Sequence, residues 1–211
     1  MTPADHIAAL TTADRTLPAA DPLMRKLIAR HGPCTMKPHW RRGPYESLVR
    51  AVMHQQLHGN AAAAILARFV ALHSGSRFPA PADVLGTPDE SLRGAGLSRQ
   101  KISYVRAIAE AAAAGVVPVS RSGISRLDDE AIIERFTQVR GVGRWTVEMF
   151  LIFGLGRLDV LPVDDYGVRA GFLRHAKGRD DIKPRELGVH GERWAPYRSV
   201  AAWYLWRAVE A

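Results

Sequence analysis

Apolar residues recur at three- and four-residue spacing through most of this chain, and period-two alternation of β-branched residues is nearly absent. Such spacing lays an apolar stripe along a 3.6-residue helix and cannot line one face of a strand. Helices are predicted around residues 50–53, from Ala61 to Leu72, Lys101 to Ala114, Asp129 to Gln138, Trp145 to Leu155, Tyr166 to His175 and Arg193 to Val209. The best strand candidate, Val116-Val117-Pro118-Val119, contains a proline that removes a ladder donor, so it reads as a loop. His31-Gly32-Pro33, Gly94-Ala95-Gly96 and Gly178-Arg179-Asp180 punctuate the pattern. The expectation is an all-α protein of about ten helices.

With 211 residues and 47% hydrophobic content, the chain can fill a core and is not a disordered protein. Its 29 Lys and Arg outnumber 21 Asp and Glu, a net charge of +8 that favours a polyanionic partner such as nucleic acid. Cys34 is the single cysteine, which excludes an intramolecular disulfide and any four-cysteine iron–sulfur or zinc site. The start, MTPADHIAAL, lacks a basic segment followed by a long apolar run, and charges such as Arg68 and Glu110 interrupt the apolar stretches. A soluble, cytoplasmic monomer is expected.

The chemistry concentrates between Val139 and Gly171, VRGVGRWTVEMFLIFGLGRLDVLPVDDYGVRAG. Gly141-Val142-Gly143 forms a glycine-bracketed hairpin that runs into an amphipathic helix. Glycine permits positive φ and lets a phosphate approach the backbone, where the amides of Val142, Gly143 and Arg144 would meet it at a helix N-terminus. Thr146 offers a hydroxyl, and Arg140 or Arg144 a charge. An ordinary two-glycine turn is the simpler alternative; the pattern is neither a dinucleotide fingerprint nor a phosphate-binding P-loop. Asp164 and Asp165 follow Pro162 and precede the next helix, so one carboxylate can cap it while the other points elsewhere. The helix dipole favours an ionised carboxylate there, which suits a group facing a developing cation better than a proton donor.

The sequence resembles the helix–hairpin–helix (HhH-GPD) superfamily of DNA glycosylases, and within it the 3-methyladenine DNA glycosylase II branch. Four segments in order carry the resemblance: YESLVRAVMHQQLHGNAAAAI, GLSRQKISYVRAIA, the Val139–Gly171 stretch, and ERWAPYRSVAAWYLWRA. It covers the chain from about Tyr45 onward, and residues 1–40 match weakly. The resemblance implies a two-lobed helical fold with the active site in the cleft between lobes. One lobe would comprise residues 1–45 and 166–211. The other would span 46–165 and end in the hairpin motif, near 137–150, and the catalytic aspartate.

Carried over residue by residue, Asp165 matches the catalytic aspartate and Asp164 the helix cap before it. Trp145 and Trp206 match tryptophans that wall the base pocket, and Met149 and Tyr45 join them as substrate contacts. Gln55, Gln56 and Leu57 match the segment that enters the minor groove and fills the gap left by a flipped nucleotide. His58, Arg140, Gly141, Val142, Gly143, Arg144 and Thr146 complete the DNA-contacting set. Strand-cleaving relatives carry a Schiff-base lysine where this chain has Trp145, which implies monofunctional chemistry that leaves an abasic site. His58 stands where serine is common, and Met149 at a place that can be aromatic. The implied partner is double-stranded DNA with alkylated bases. No cofactor is implied, and the only metal compatible with the motif is a monovalent cation held by hairpin carbonyls.

Two other readings of the residues stay open. His54 and His58, one helical turn apart, have the spacing of zinc hydrolases, but Gln55 replaces the glutamate that acts as their base. A non-enzymatic binder of damaged or abasic DNA could keep the hairpin as a scaffold.

Overall fold

The computed structural model describes residues 2–55, 59–73, 77–175 and 180–210, and among these every regular element is helical. In chain order the helices are α1 (Pro3–Ala20), α2 (Pro22–His31), α3 (Pro44–His54), α4 (Gly59–Ala71), α5 (Pro81–Gly86), α6 (Asp89–Gly94), α7 (Arg99–Ala113), α8 (Asp129–Thr137), α9 (Arg144–Met149), α10 (Tyr166–Leu173), α11 (Pro184–Gly191) and α12 (Arg198–Glu210). A π-helical segment, Phe150–Leu155, continues α9, and a 3₁₀ turn, Glu192–Trp194, follows α11. The expected helix from Trp145 to Leu155 is thus α-helical only to Met149. The expected run from Arg193 is divided by an extended Ala195 and the Ala195–Pro196 peptide before α12 begins.

The chain divides into two units, Met1–Trp40 with Leu151–Ala211, and Arg41–Phe150. The first is discontinuous, and its second segment starts at 151, where the lobe boundary given by the resemblance is 166. The intervening residues are bound to it by specific contacts. His39 N donates to Phe153 O at 2.7 Å, and Ser199 N donates to Leu158 O at 2.9 Å. Val160 N donates to Ser199 Oγ, and Arg198 pairs with Asp159 at 2.8 Å. Asp165 therefore lies in the same unit as Trp206.

Helix α12 is the centre of the discontinuous unit, with Val200, Ala201, Ala202, Tyr204 and Leu205 fully buried, and it packs on α10, α2 and α1. From α1, Leu10, Ala13 and Leu17 form one buried stripe at helical spacing. Asp21 ends α1 and caps α2: its carboxylate accepts from Leu23 N, His190 Nε2 and Trp194 Nε1, each at 2.8 Å. Helices α10 and α12 approach unusually closely through Gly171, where a Cβ would fall 2.0 Å from the carbonyl oxygen of Leu205.

The continuous unit is built on α3 and α7. Leu48, Val49, Val52 and Met53 from α3 are completely buried, as are Val105, Ile108 and Ala109 from α7. Helix α3 packs on α7, α4 and α9, and α8 packs on α9. The segment Val116–Val119 is a loop, with Pro118 O accepting from Tyr45 N at 3.2 Å.

Candidate functional site

Asp165 follows a turn closed by its own N–H on Pro162 O at 3.1 Å and has extended backbone angles, φ −67° and ψ 125°. It is the N-cap of α10: Oδ1 accepts from Val168 N at 2.8 Å. The same oxygen accepts from Trp206 Nε1 at 2.8 Å. This corrects the expected division of labour between the two acids. Asp164 is exposed and is not the cap, because it lies one residue too early to reach the third amide of α10. Asp165 holds the capping position and the tryptophan contact together.

Trp206 reaches Asp165 because α10 presents a glycine below it. A Cβ on Gly167 would sit 2.8 Å from Trp206 Cδ1 and 3.2 Å from Asp165 Oδ1. Gly167 and Gly171 are four residues apart, so they share the face of α10 that receives α12. Phe153, from the π-helical segment, backs Trp206 with ring centroids 5.7 Å apart and an interplanar angle of 33°. Tyr166, directly after Asp165, is 83% exposed. Gly167, Phe153 and Tyr166 were not singled out from the sequence, since only the fold brings the first two beside residue 206.

In the other unit, the hairpin turns at Gly141, whose φ of +87° disfavours any side chain. A Cβ there would also enter the Tyr104 ring, 2.2 Å from Cγ. Gly143 differs from expectation. Its φ is −88°, it occupies the N-cap of α9, and a Cβ would meet nothing within 4 Å. Val142 anchors the turn: its N–H donates to Val139 O at 3.0 Å and its side chain is buried. Of the three amides expected to meet a phosphate, those of Gly143 and Arg144 lie at the start of α9, where N–H groups lack intrahelical acceptors.

The remaining hairpin residues separate by environment. Arg144 is engaged by carboxylates, Glu130 at 2.5 Å and Glu148 at 3.1 Å. The hydrogen bond from Arg144 holds the Glu130 carboxyl below its ordinary range. Arg140 is exposed. Thr146 is only 2% exposed, and its hydroxyl faces the Gln55 amide at 3.4 Å, so it is a packing contact. Gln55 Nε2 also donates to Gly141 O at 3.3 Å. Gly141 O accepts from Gln55 Nε2, and Val139 O accepts from Val142 N.

Trp145 is 40% exposed on the first turn of α9, and Met149 follows it by one turn. Tyr45 is a core residue: it is 2% exposed and packs edge-on against Phe78 at 5.9 Å, which removes it from the set of substrate contacts. Gln56, Leu57 and His58 lie outside the described residues. Among the remaining tryptophans, Trp194 and Trp203 are buried and Trp40 is half-buried.

A model of HhH-GPD superfamily base excision DNA repair proteins matches residues 49–196. The DNA-3-methyladenine glycosylase 1 of Schizosaccharomyces pombe is 40% identical over 206 residues, which cover 95% of this chain and 88% of that protein. A solved structure of an S. pombe 3-methyladenine DNA glycosylase in complex with abasic DNA superposes with a TM-score of 0.84 at 38% identity, covering 95% of this chain and 97% of that one. A DNA-3-methyladenine glycosidase structure from Bacillus halodurans gives a TM-score of 0.80 at 36% identity, covering 93% and 88%.

Proposed function

Because the chain belongs to the HhH-GPD superfamily of base excision DNA repair proteins, we propose that it is a monofunctional DNA glycosylase that removes alkylated, 3-methyladenine-type bases. One observation carries this reading: Asp165 and Trp206 are joined through a single carboxylate oxygen, so an anion and an aromatic face are held together. The glycosidic bond is inaccessible inside a duplex, so the nucleotide must first rotate out of the stack. Gln55, Gln56 and Leu57 are assigned to the strand opening, as DNA-bending proteins do with inserted side chains. Gly143, Arg140 and Arg144 are assigned to the phosphates. Val139 and Gly141 carbonyls would hold a monovalent cation, which would supply positive charge toward a phosphate.

The extruded base is assigned to the face of Trp206, where stacking contributes roughly 1–3 kcal/mol. A cationic alkylated purine gains ~0.5–2 kcal/mol more from the ring quadrupole. Trp145, with Met149 one turn on, offers a second aromatic surface. As the C1′–N bond breaks, its electron pair leaves with the base, neutralising the purine's charge and placing positive charge on the sugar. Asp165 stabilises that charge, water adds its oxygen to C1′, and a proton is released. A cationic purine is already a good leaving group, so this scheme needs no strong acid.

Incubation with duplexes carrying 3-methyladenine, 7-methylguanine, hypoxanthine or ethenoadenine tests the proposal by the free base released. Release of a methylated purine, leaving an alkali-labile abasic site, supports it. Tight binding of abasic duplex with no base released from any lesion would instead mark a non-enzymatic binder.

A further inference from the structure

The segment GLSRQKISYVRAIA is as prominent in the sequence as the hairpin, yet the mechanism above gives it no task. Its structure supplies one. Ser98 caps α7, its Oγ accepting from Lys101 N at 3.2 Å, and this sets Lys101 on the first turn of the helix. Lys101 Nζ then donates across to the end of α3: to Val52 O at 2.7 Å and to Met53 O and Gln55 O at 2.9 Å each. An ammonium has three N–H donors, and all three are used. The last carbonyls of a helix lack intrahelical donors and carry the negative end of its dipole, so a cation from another helix is well matched to them.

The end of α3 is held on a second side. Gln55, its C-cap, directs its side-chain amide to Gly141 O and Thr146 Oγ1 in the hairpin and α9. Helix α7 grips that same hairpin, because the Tyr104 ring, one turn beyond Lys101, lies where a Cβ on Gly141 would be. Gln100 Nε2 in turn steadies the Tyr104 hydroxyl at 2.7 Å. One face of α7 thus fixes the point at which the chain leaves α3 and the turn of the phosphate-contacting hairpin.

We propose that Lys101 is a positioning residue for duplex opening: by gathering the terminal carbonyls of α3 it sets Gln55 in register with the hairpin, so that both engage one duplex together. This rests on the glycosylase reading and on the assignment of Gln55–Leu57 to strand opening. Lys101 touches neither base nor sugar in this scheme, so its loss should affect the opening of paired DNA and leave bond cleavage largely intact.

The test compares single-turnover excision of 7-methylguanine from a fully paired duplex and from an unpaired bubble of the same sequence. Lys101→Met keeps the length of the stem and removes the donors. It should slow excision from the duplex by roughly 10-fold or more, the scale of a small misplacement of reacting groups, with less than about a threefold change on the bubble. Lys101→Arg keeps the charge, but its planar fork cannot converge on three carbonyls, so it should show the same selective loss to a smaller degree. If Lys101→Met does not give a cooperative melt, Lys101→Arg carries the comparison. Equal loss on both substrates, or no loss on either, in a folded variant overturns the role of Lys101. A wild-type protein that releases no lesion of the panel above from either the duplex or the bubble overturns the glycosylase reading itself, and this proposal with it.

Discussion

Two N–H groups converge on Asp165 Oδ1, one from its own helix and one from a tryptophan 41 positions later in the chain. This makes asparagine the informative substitution, since an amide oxygen can accept both bonds and Asn caps helices as well as Asp does. Asp165→Ala loses the cap and should cost ~1 kcal/mol in a urea melt, whereas Asp165→Asn should stay within a few tenths. The residues alone could not say which of the two acids caps α10, and the resemblance pointed to Asp164 instead of Asp165. Adjacent aspartates after a proline have the same propensity, and the turn at Pro162–Asp165 together with Trp206 separates them. Gly167 was illegible for a similar reason, because its value lies in what it lets Trp206 do. Gly167→Ala should displace the indole, change the tryptophan fluorescence and lower kcat/KM roughly 10-fold through lost stacking. Unchanged emission and kinetics would mean that Trp206 can shift without consequence.

At the scale of elements, the two hairpin glycines make different predictions. Gly141→Ala meets both a positive φ and the Tyr104 ring, so it should destabilise the fold by more than about 1 kcal/mol. Gly143→Ala has an unstrained backbone and open space, so it should lose only glycine's N-cap advantage over alanine, on the order of 0.5 kcal/mol. If a phosphate approaches there, its affinity for abasic duplex, read by fluorescence anisotropy, should nevertheless fall. The spacing G-V-G shows a turn but not which glycine is structural, because the answer lies in a ring contributed by α7.

The α2 cap gives a pH prediction. Burial alone would raise the Asp21 carboxyl, but hydrogen bonds from His190, Leu23 and Trp194 outweigh it and hold the group below its ordinary value of 3.8. Its contribution is therefore fully present above that value and lost as pH falls through the lowered one. Asp21→Asn should flatten the acid limb of the stability curve measured by denaturant melts below pH 4. The periodicity in the sequence located most of the helices because each buries one face. It did not reveal the π-helical segment after Met149, since six residues are too few to distinguish a wider helix from a 3.6-residue one.

For the molecule as a whole, the net charge of +8 predicts DNA binding that weakens steeply with salt. A footprint of about four phosphates would lose roughly 10²-fold in affinity between 50 and 200 mM salt. With Trp145 in place of a lysine, borohydride should not trap the protein on lesion DNA, and an efficient covalent complex would contradict hydrolysis by water. The all-α architecture was legible from periodicity, whereas the discontinuous lobe was an expectation of the family resemblance alone. The boundary at 150/151 was legible from neither, because it is set by His39, Arg198 and Ser199, which bind residues 153–160 from distant parts of the sequence.

In the proposed mechanism one carboxylate, Asp165, performs the chemistry while it also caps a helix. Single-turnover release of a methylated purine by Asp165→Asn, beside its affinity for abasic duplex and its melting curve, tests this directly. Excision should fall by ~10²-fold or more, the scale for losing a preorganised electrostatic group, with affinity and stability preserved. Excision at the wild-type rate by a folded, DNA-binding Asp165→Asn would leave Asp165 as a cap and nothing more.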